Sequence, residues 1–259
     1  MWILQVEQMI KLMYSSEYQS FLIFTFFCIA SCIPLPADTP KHESVKGNHE
    51  PLKLQGRITY KPDPQKPWKF GRYYLNGPEH YLAEAVVELV HGDDKKQFVV
   101  DTERKIKTHL MDQENFMFIP EMIAIQSGDK VRFKNSEEAY HNVMCLNDNP
   151  PFNINLGKNQ EHFHEPKIAK GAENPLDIRC VFHGAMKGWI CVFNHPYFQQ
   201  TTKSGAFEFS KIPSGDYLLR VVHPAGGLYL ETEVRKLKPS SDTRWNIVLT
   251  PEHLKAQSK

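Results

Sequence analysis

Short runs rich in Val, Ile, Phe and Tyr, each ended by Gly, Pro, Asn or Asp, recur along the chain from residue 55 onward. They fall at 55–60, 85–90, 97–100, 122–126, 130–134, 176–179, 188–193, 206–210, 217–222 and 228–235, and apolar residues at helical spacing are scarce. Many short strands separated by turns predict an all-β chain built from sandwiches or barrels. At 259 residues there is room for one large or two small domains with real cores.

The N-terminal region is different material. Residues 20–30 (SFLIFTFFCIA) form an apolar run shorter than the ~20 residues a membrane span needs. Lys11 precedes it and a Pro-rich polar stretch follows, which is the pattern of an export signal. The long segment before the run carries Glu7 and Glu17, so Met9 or Met13 is an alternative start. Ile29-Ala30-Ser31-Cys32 resembles a bacterial lipobox, which implies a signal peptide over 1–31, lipid on Cys32 and a flexible tether over 32–53. The alternative is cleavage after Leu35-Pro36-Ala37, at residue 37, which leaves a soluble protein. Removing residues 1–31 moves the formal charge from +1 to +2, and no basic block points to nucleic acid. Export implies an oxidising compartment. There Cys145 and Cys191 either pair or stay as two buried free thiols.

Four residues then stand out: His141, Cys180, His183 and Met186. Cys, His and Met share one seven-residue stretch, Cys180-Val181-Phe182-His183-Gly184-Ala185-Met186, and His141 lies 39 residues before the Cys. Two imidazoles, a thiolate and a weak thioether are the donor set of a mononuclear type 1 copper site. Gly184 is expected to let the backbone turn between His183 and Met186. Cys-x-x-His alone is common; the Met and the upstream His-Asn-Val make the pattern specific.

The stretch Val131-Arg132-Phe133-Lys134-Asn135, followed by His141-Asn142-Val143 and the compressed Cys-x-x-His-x-x-Met loop, resembles the cupredoxins, amicyanin among them. That resemblance implies a Greek-key β-sandwich holding one copper ion, with His141, Cys180 and His183 equatorial and Met186 axial. It also implies that Asn142 braces the ligand loop, and that His183 with Gly184 and Ala185 forms the port where electrons pass. The segment from Cys180 through His195-Pro196-Tyr197-Phe198 further resembles a group of exported bacterial cupredoxin-like proteins, some labelled methylamine-utilisation proteins. That group shows Pro-Trp where this chain has Gly184-Ala185.

Residues 205–221 alternate apolar and polar, turn at Pro213-Ser214-Gly215 and alternate again. This resembles the hairpin of carboxypeptidase-regulatory-like (transthyretin-like) β-sandwiches, whose opening strands are similar to 56–60 and 82–89 and whose end is similar to 243–251. The expected organisation is a regulatory-like sandwich over 54–93 and 197–252, interrupted by a copper domain over 94–196. The alternative is two consecutive domains, with 56–89 giving the first cupredoxin strands.

Other residues attract weaker readings. His162 and His164 could bind a surface metal, but read as solvated loop residues. His195 is expected to cap the strand leaving the copper unit, Trp189 to pack beneath the ligand loop, and Tyr73, Tyr74 and Tyr81 to form an aromatic loop; His223 has no firm role. Enzyme alternatives fail on composition. A dinuclear copper site needs a second Cys near Gly184 or Ala185, and a trinuclear cluster needs His where Arg179 and Val181 stand. A Cys180–His183 hydrolase pair lacks an oxyanion-type Gly motif. The chain is therefore expected to be no enzyme. It reads as an exported, lipid-anchored electron carrier in the periplasm or cell envelope, moving single electrons between redox partner proteins. The alternative function is an envelope binding or structural module with a copper-storing or vestigial site.

Overall fold

The computed structural model describes residues 51–65, 78–93, 95–101, 103–239 and 241–254. Two strands come first, β1 (Leu52–Tyr60) and β2 (Val86–His91). Nine follow in the middle: β3 (Thr108–Glu114), β4 (Met117–Ile119), β5 (Met122–Gln126), β6 (Lys130–Asn135), β7 (His141–Cys145), β8 (Phe152–Leu156), β9 (Glu161–His164), β10 (Leu176–Arg179) and β11 (Lys187–Phe193). Then come β12 (Phe198–Gln200), β13 (Ala206–Ile212), β14 (Gly215–His223), β15 (Leu228–Glu231), β16 (Arg235–Leu237) and β17 (Ile247–Leu249). Helix among the described residues is limited to the 3-10 turns Pro224–Gly226 and Pro251–His253. None of it is long and apolar enough to cross a membrane.

These strands make four sheets, ordered β13-β1-β17, β12-β2-β14-β15 with β16 also on β14, β5-β11-β10-β7-β8, and β4-β3-β6-β9. Three cores join them as four stacked layers. Between the first two sheets lie Leu54, Ile58, Phe207 and Phe209 against Val87, Leu89, Tyr217, Leu219 and Val221. The opposite faces of β2 and β14 supply Val86 and Val222, which pack on Met122, Cys191 and Phe193 of the third sheet. That sheet in turn presents Ile123, Ile125, Ile190 and Val192 to Met111, Phe118, Val131 and Phe133 of the fourth. The inner strands are thus covered on both faces. This explains why Trp189-Ile190-Cys191-Val192-Phe193 reads as a continuous apolar run, while β1 alternates buried and exposed positions.

The copper-type motifs lie in the third and fourth sheets, and the strands on either side of them in sequence pair with one another. β1 runs antiparallel to β13 and parallel to β17, and β2 is antiparallel to β12 and β14. Glu88 ties the second sheet to the third. Its buried carboxylate accepts from Ala172 N at 3.1 Å and meets His195 Nε2 at 3.3 Å, while His195 Nδ1 accepts from Tyr197 N.

Several expectations need correcting. Residues 97–100 form no strand, and 228–235 is two strands broken at 232–234. The turn at Pro213-Ser214 is not a hairpin: β13 pairs with β1 in one sheet and β14 with β2 in the next, so the chain crosses the core there. Alternation shows that both strands face a core; it does not show that they pair with each other. His162 and His164 lie on β9, paired with β6, and His164 Nε2 meets the buried Asp148 at 2.6 Å. Trp189 packs with Cys191 and Phe193, and the Arg57 guanidinium stacks 4.9 Å over Tyr81. His223 Nδ1 accepts from Gly226 N. Tyr73 and Tyr74 lie outside the described residues.

Cys145, Cys180 and Cys191 are all free. Burial, with Asp148 nearby, pushes the Cys145 thiol up to about 11, and burial beside Glu88 raises that of Cys191 further.

Gly56 of β1 permits the close approach of the 243–246 segment: an added Cβ would lie 2.0 Å from Trp245 O and 2.6 Å from the Phe207 ring. Gly56→Ala is therefore expected to lower stability by at least about 2 kcal/mol, read as a fall in the urea midpoint.

Candidate metal centre

The seven-residue ligand stretch is the connection between β10 and β11. Arg179 and Lys187 form the last pair of that ladder, so residues 180–186 close a tight loop. Two backbone bonds hold it: Cys180 N–H donates to Met186 O at 3.4 Å and Met186 N–H to His183 O at 2.8 Å. β7 runs antiparallel beside β10, paired at Met144 and Arg179, which brings its first residue, His141, level with the loop. His141 thus opens a strand.

His141, Cys180 and His183 converge, with their donor atoms all within 4.8 Å of one another. The two Nδ1 atoms are 3.1 Å apart, and Cys180 Sγ lies 3.6 Å from His183 Nδ1 and 4.0 Å from His141 Nδ1. A triangle with these sides has its centre about 2.1 Å from each corner, within the ~2.0–2.3 Å of metal–imidazole and metal–thiolate bonds. The residues therefore fit an ion. Among the described residues no fourth His, Cys, Asp or Glu joins the group, whereas a structural zinc site takes four strong donors. Met186 is buried in the same cluster as Cys180. Two imidazoles and a thiolate in a triangle, with a methionine in the same loop, suit copper.

Neighbouring side chains fix the donors. His141 is wholly buried, and its Nε2–H donates to Glu137 Oε1, which leaves the Nδ1 lone pair for the metal. Burial acts to raise the Glu137 carboxyl. Its contact with His141 and the Phe116 and Asn115 amides outweighs that, holding it below the usual range. Asn142 Oδ1 accepts from Val181 N at 3.4 Å, and its amide donates to Asn153, to Ile154 O and to Asn155 Oδ1, so it links β7, β8 and the ligand loop. Asn135 bonds Ala139 O at 2.7 Å and Leu156 O at 3.0 Å, and accepts from Glu137 N, which shapes the approach to His141.

Phe116 completes the surroundings. It sits with Asn115 in a two-residue turn between β3 and β4, both at positive φ (54° and 56°), a geometry that suits Asn but costs a bulky residue about 1–2 kcal/mol. Its ring stands edge-on to His183 at 4.9 Å and to His141 at 5.7 Å. Half-exposed His183 is bordered by exposed Val181, Phe182, Gly184 and Ala185. Tyr140 lies against Phe182.

The sequence reading did not include Glu137 or Phe116, and it held Asn135 only as the last residue of the stretch before His141. Glu137 was findable as a carboxylate four residues before a candidate ligand. Phe116 left no signal beyond the Asn before it. Gly184 has a smaller role than expected: its φ is not left-handed and an added Cβ meets nothing within 4 Å. Cys32 lies outside the described residues.

Glu137→Ala should weaken copper binding about 10–100-fold in competition with a chelator, because the imidazole loses the partner that fixes its tautomer. Gly184→Ala should leave copper affinity unchanged and shift stability by less than about 0.5 kcal/mol in urea denaturation.

Residues 105–198 match the family described as copper binding proteins, plastocyanin/azurin family. No curated protein matches the chain. Among solved structures, amicyanin from Paracoccus versutus (Thiobacillus versutus) is 18% identical, covering 40% of this chain and 97% of its own, at a TM-score of 0.29. A reduced mutant amicyanin is 20% identical, covering 35% of this chain and 86% of its own, at a TM-score of 0.30. These structural likenesses carry no weight beside the family match. The matched stretch, residues 105–198, holds His141, Cys180, His183 and Met186, and its three strong donors converge as a copper site requires.

Proposed function

We propose that this chain is an exported type 1 copper protein that carries single electrons between envelope redox partners and is not an enzyme. The observation that carries the reading is the triangle of two Nδ1 atoms and one Sγ, with Met186 in the same loop. When bound, copper supplies a one-electron change between Cu(II) and Cu(I). The chain's residues keep the donors in place through that change. Cys180 and the imidazoles of His141 and His183 would be the strong donors and Met186 the weak one, in a loop tied by two backbone bonds. Asn142 and Asn135 brace the loops on either side. His183, bordered by exposed Val181, Phe182, Gly184 and Ala185, is the port to a partner.

The reading extends to the rest of the chain. Residues 54–93 and 197–252 are assigned to a regulatory-like sandwich interrupted by the copper domain, an arrangement supported by the pairing of β1 with β13 and β17. The apolar run at 20–30 and Cys32 support export and a lipid anchor on a bacterial membrane.

The test is visible absorption of the chain lacking residues 1–37, with Cu(II) and then ascorbate. An intense thiolate-to-copper band that bleaches on reduction is expected, and Cys180→Ser should abolish it. A folded protein without the band would overturn the proposal. Met186→Leu should keep copper and raise the reduction potential, since removing the thioether weakens the support for Cu(II); an unchanged potential would remove Met186 from the ligand set.

A further inference from the structure

A second concave site lies in the other half of the chain, on the layer formed by β13, β1 and β17. Its cavity of about 460 Å³ is lined by Arg57 of β1, Arg244 and Asn246 of the segment before β17, Gln199 of β12 and Glu208 of β13, among others. This volume is in the range of small-molecule sites, about 300–1,000 Å³.

The polar groups there are unbalanced. The amide oxygen of Asn246 is used by Arg57 N at 3.1 Å, and that of Gln199 by Glu208 N at 2.7 Å. Each backbone N–H needs an acceptor, so the amides must turn their oxygens to the protein, and what remains of each is an NH₂ donor. Among the described residues the Arg57 guanidinium gives one hydrogen bond, from Nη1 to Ser204 O at 2.9 Å, and rests over Tyr81, which fixes its plane. The Arg244 side chain has no hydrogen bond or ion pair among the described residues. The lining carboxylate, Glu208, is held by Lys53 at 2.8 Å. The cavity therefore offers donors in excess, two planar guanidiniums among them, and its one carboxylate is neutralised.

We infer that this cavity binds a small oxyanion-bearing ligand, a carboxylate or a phosphate, through the guanidiniums of Arg57 and Arg244 and the side-chain amides of Gln199 and Asn246. A guanidinium matches two oxygens of such a group at once, with a strength and geometry that neutral ligands do not share. The site is separate from the copper ligands in sequence and in sheet. It gives the outer sandwich a recognition role.

The experiment is calorimetric titration of the full chain with citrate, with inorganic phosphate and with glucose. Saturable binding of citrate or phosphate below about 1 mM is expected, with none for glucose. The tighter of the two anions identifies the oxyanion. Arg244→Ala should weaken binding at least tenfold with no change in urea midpoint, because that side chain holds no other part of the protein. Arg244→Lys should also weaken it, since an ammonium keeps the charge but loses the fork. Absence of saturable binding by either anion, equal binding of glucose, or full affinity in Arg244→Ala would each overturn the assignment.

Discussion

Strand β11 bears the metal centre by being buried on both faces. Its Ile190 and Val192 enter one core, and Cys191 and Phe193 the next. A strand clamped in this way cannot shift by one residue without turning each set of side chains into the wrong layer. Its first residue, Lys187, directly follows the ligand loop, whose donors inherit a fixed starting point. β10 is paired to it through Arg179, and β7 to β10, so all three donors are referred to one ladder. Electron transfer by copper favours donors that barely move between oxidation states. A loop hung from a strand buried on both faces would meet that need without special chemistry in the loop itself.

The same double burial explains what was legible in the sequence. Strands with strong apolar runs or clean alternation, such as 122–126, 130–134 and 188–193, were readable because burial writes directly into residue type. β3, β8 and β9 were missed because half-exposed strands carry His109, Asn153, Asn155 and His162, which look like loop residues one at a time. The ligand set was legible for a different reason: Cys, His and Met at fixed spacing have few other uses. The hydrogen bonds and ring contacts around it were not. Glu137 and Phe116 reach the imidazoles through turns whose shape no short motif announces.

Phe116 illustrates the trade. A glycine at its positive φ would relax the turn, and the aromatic ring is kept there against a backbone preference. Its edge faces both imidazoles. Local strain in the β3–β4 turn and the ordering of the metal-binding rings are thus parts of one arrangement, joined through the Glu137 carboxylate that also accepts from Phe116 N.

The pairing of β1 with β17 sets an order of events during synthesis. Arg57 and Asn246, bonded across that ladder, are 189 residues apart in the chain. A ribosome adds roughly 5–20 residues per second, so β1 waits for many seconds before its parallel neighbour exists. The strands from β3 to β11 find their partners among themselves and can close first. The copper-binding half is then a finished platform on which the early strands and the late ones meet.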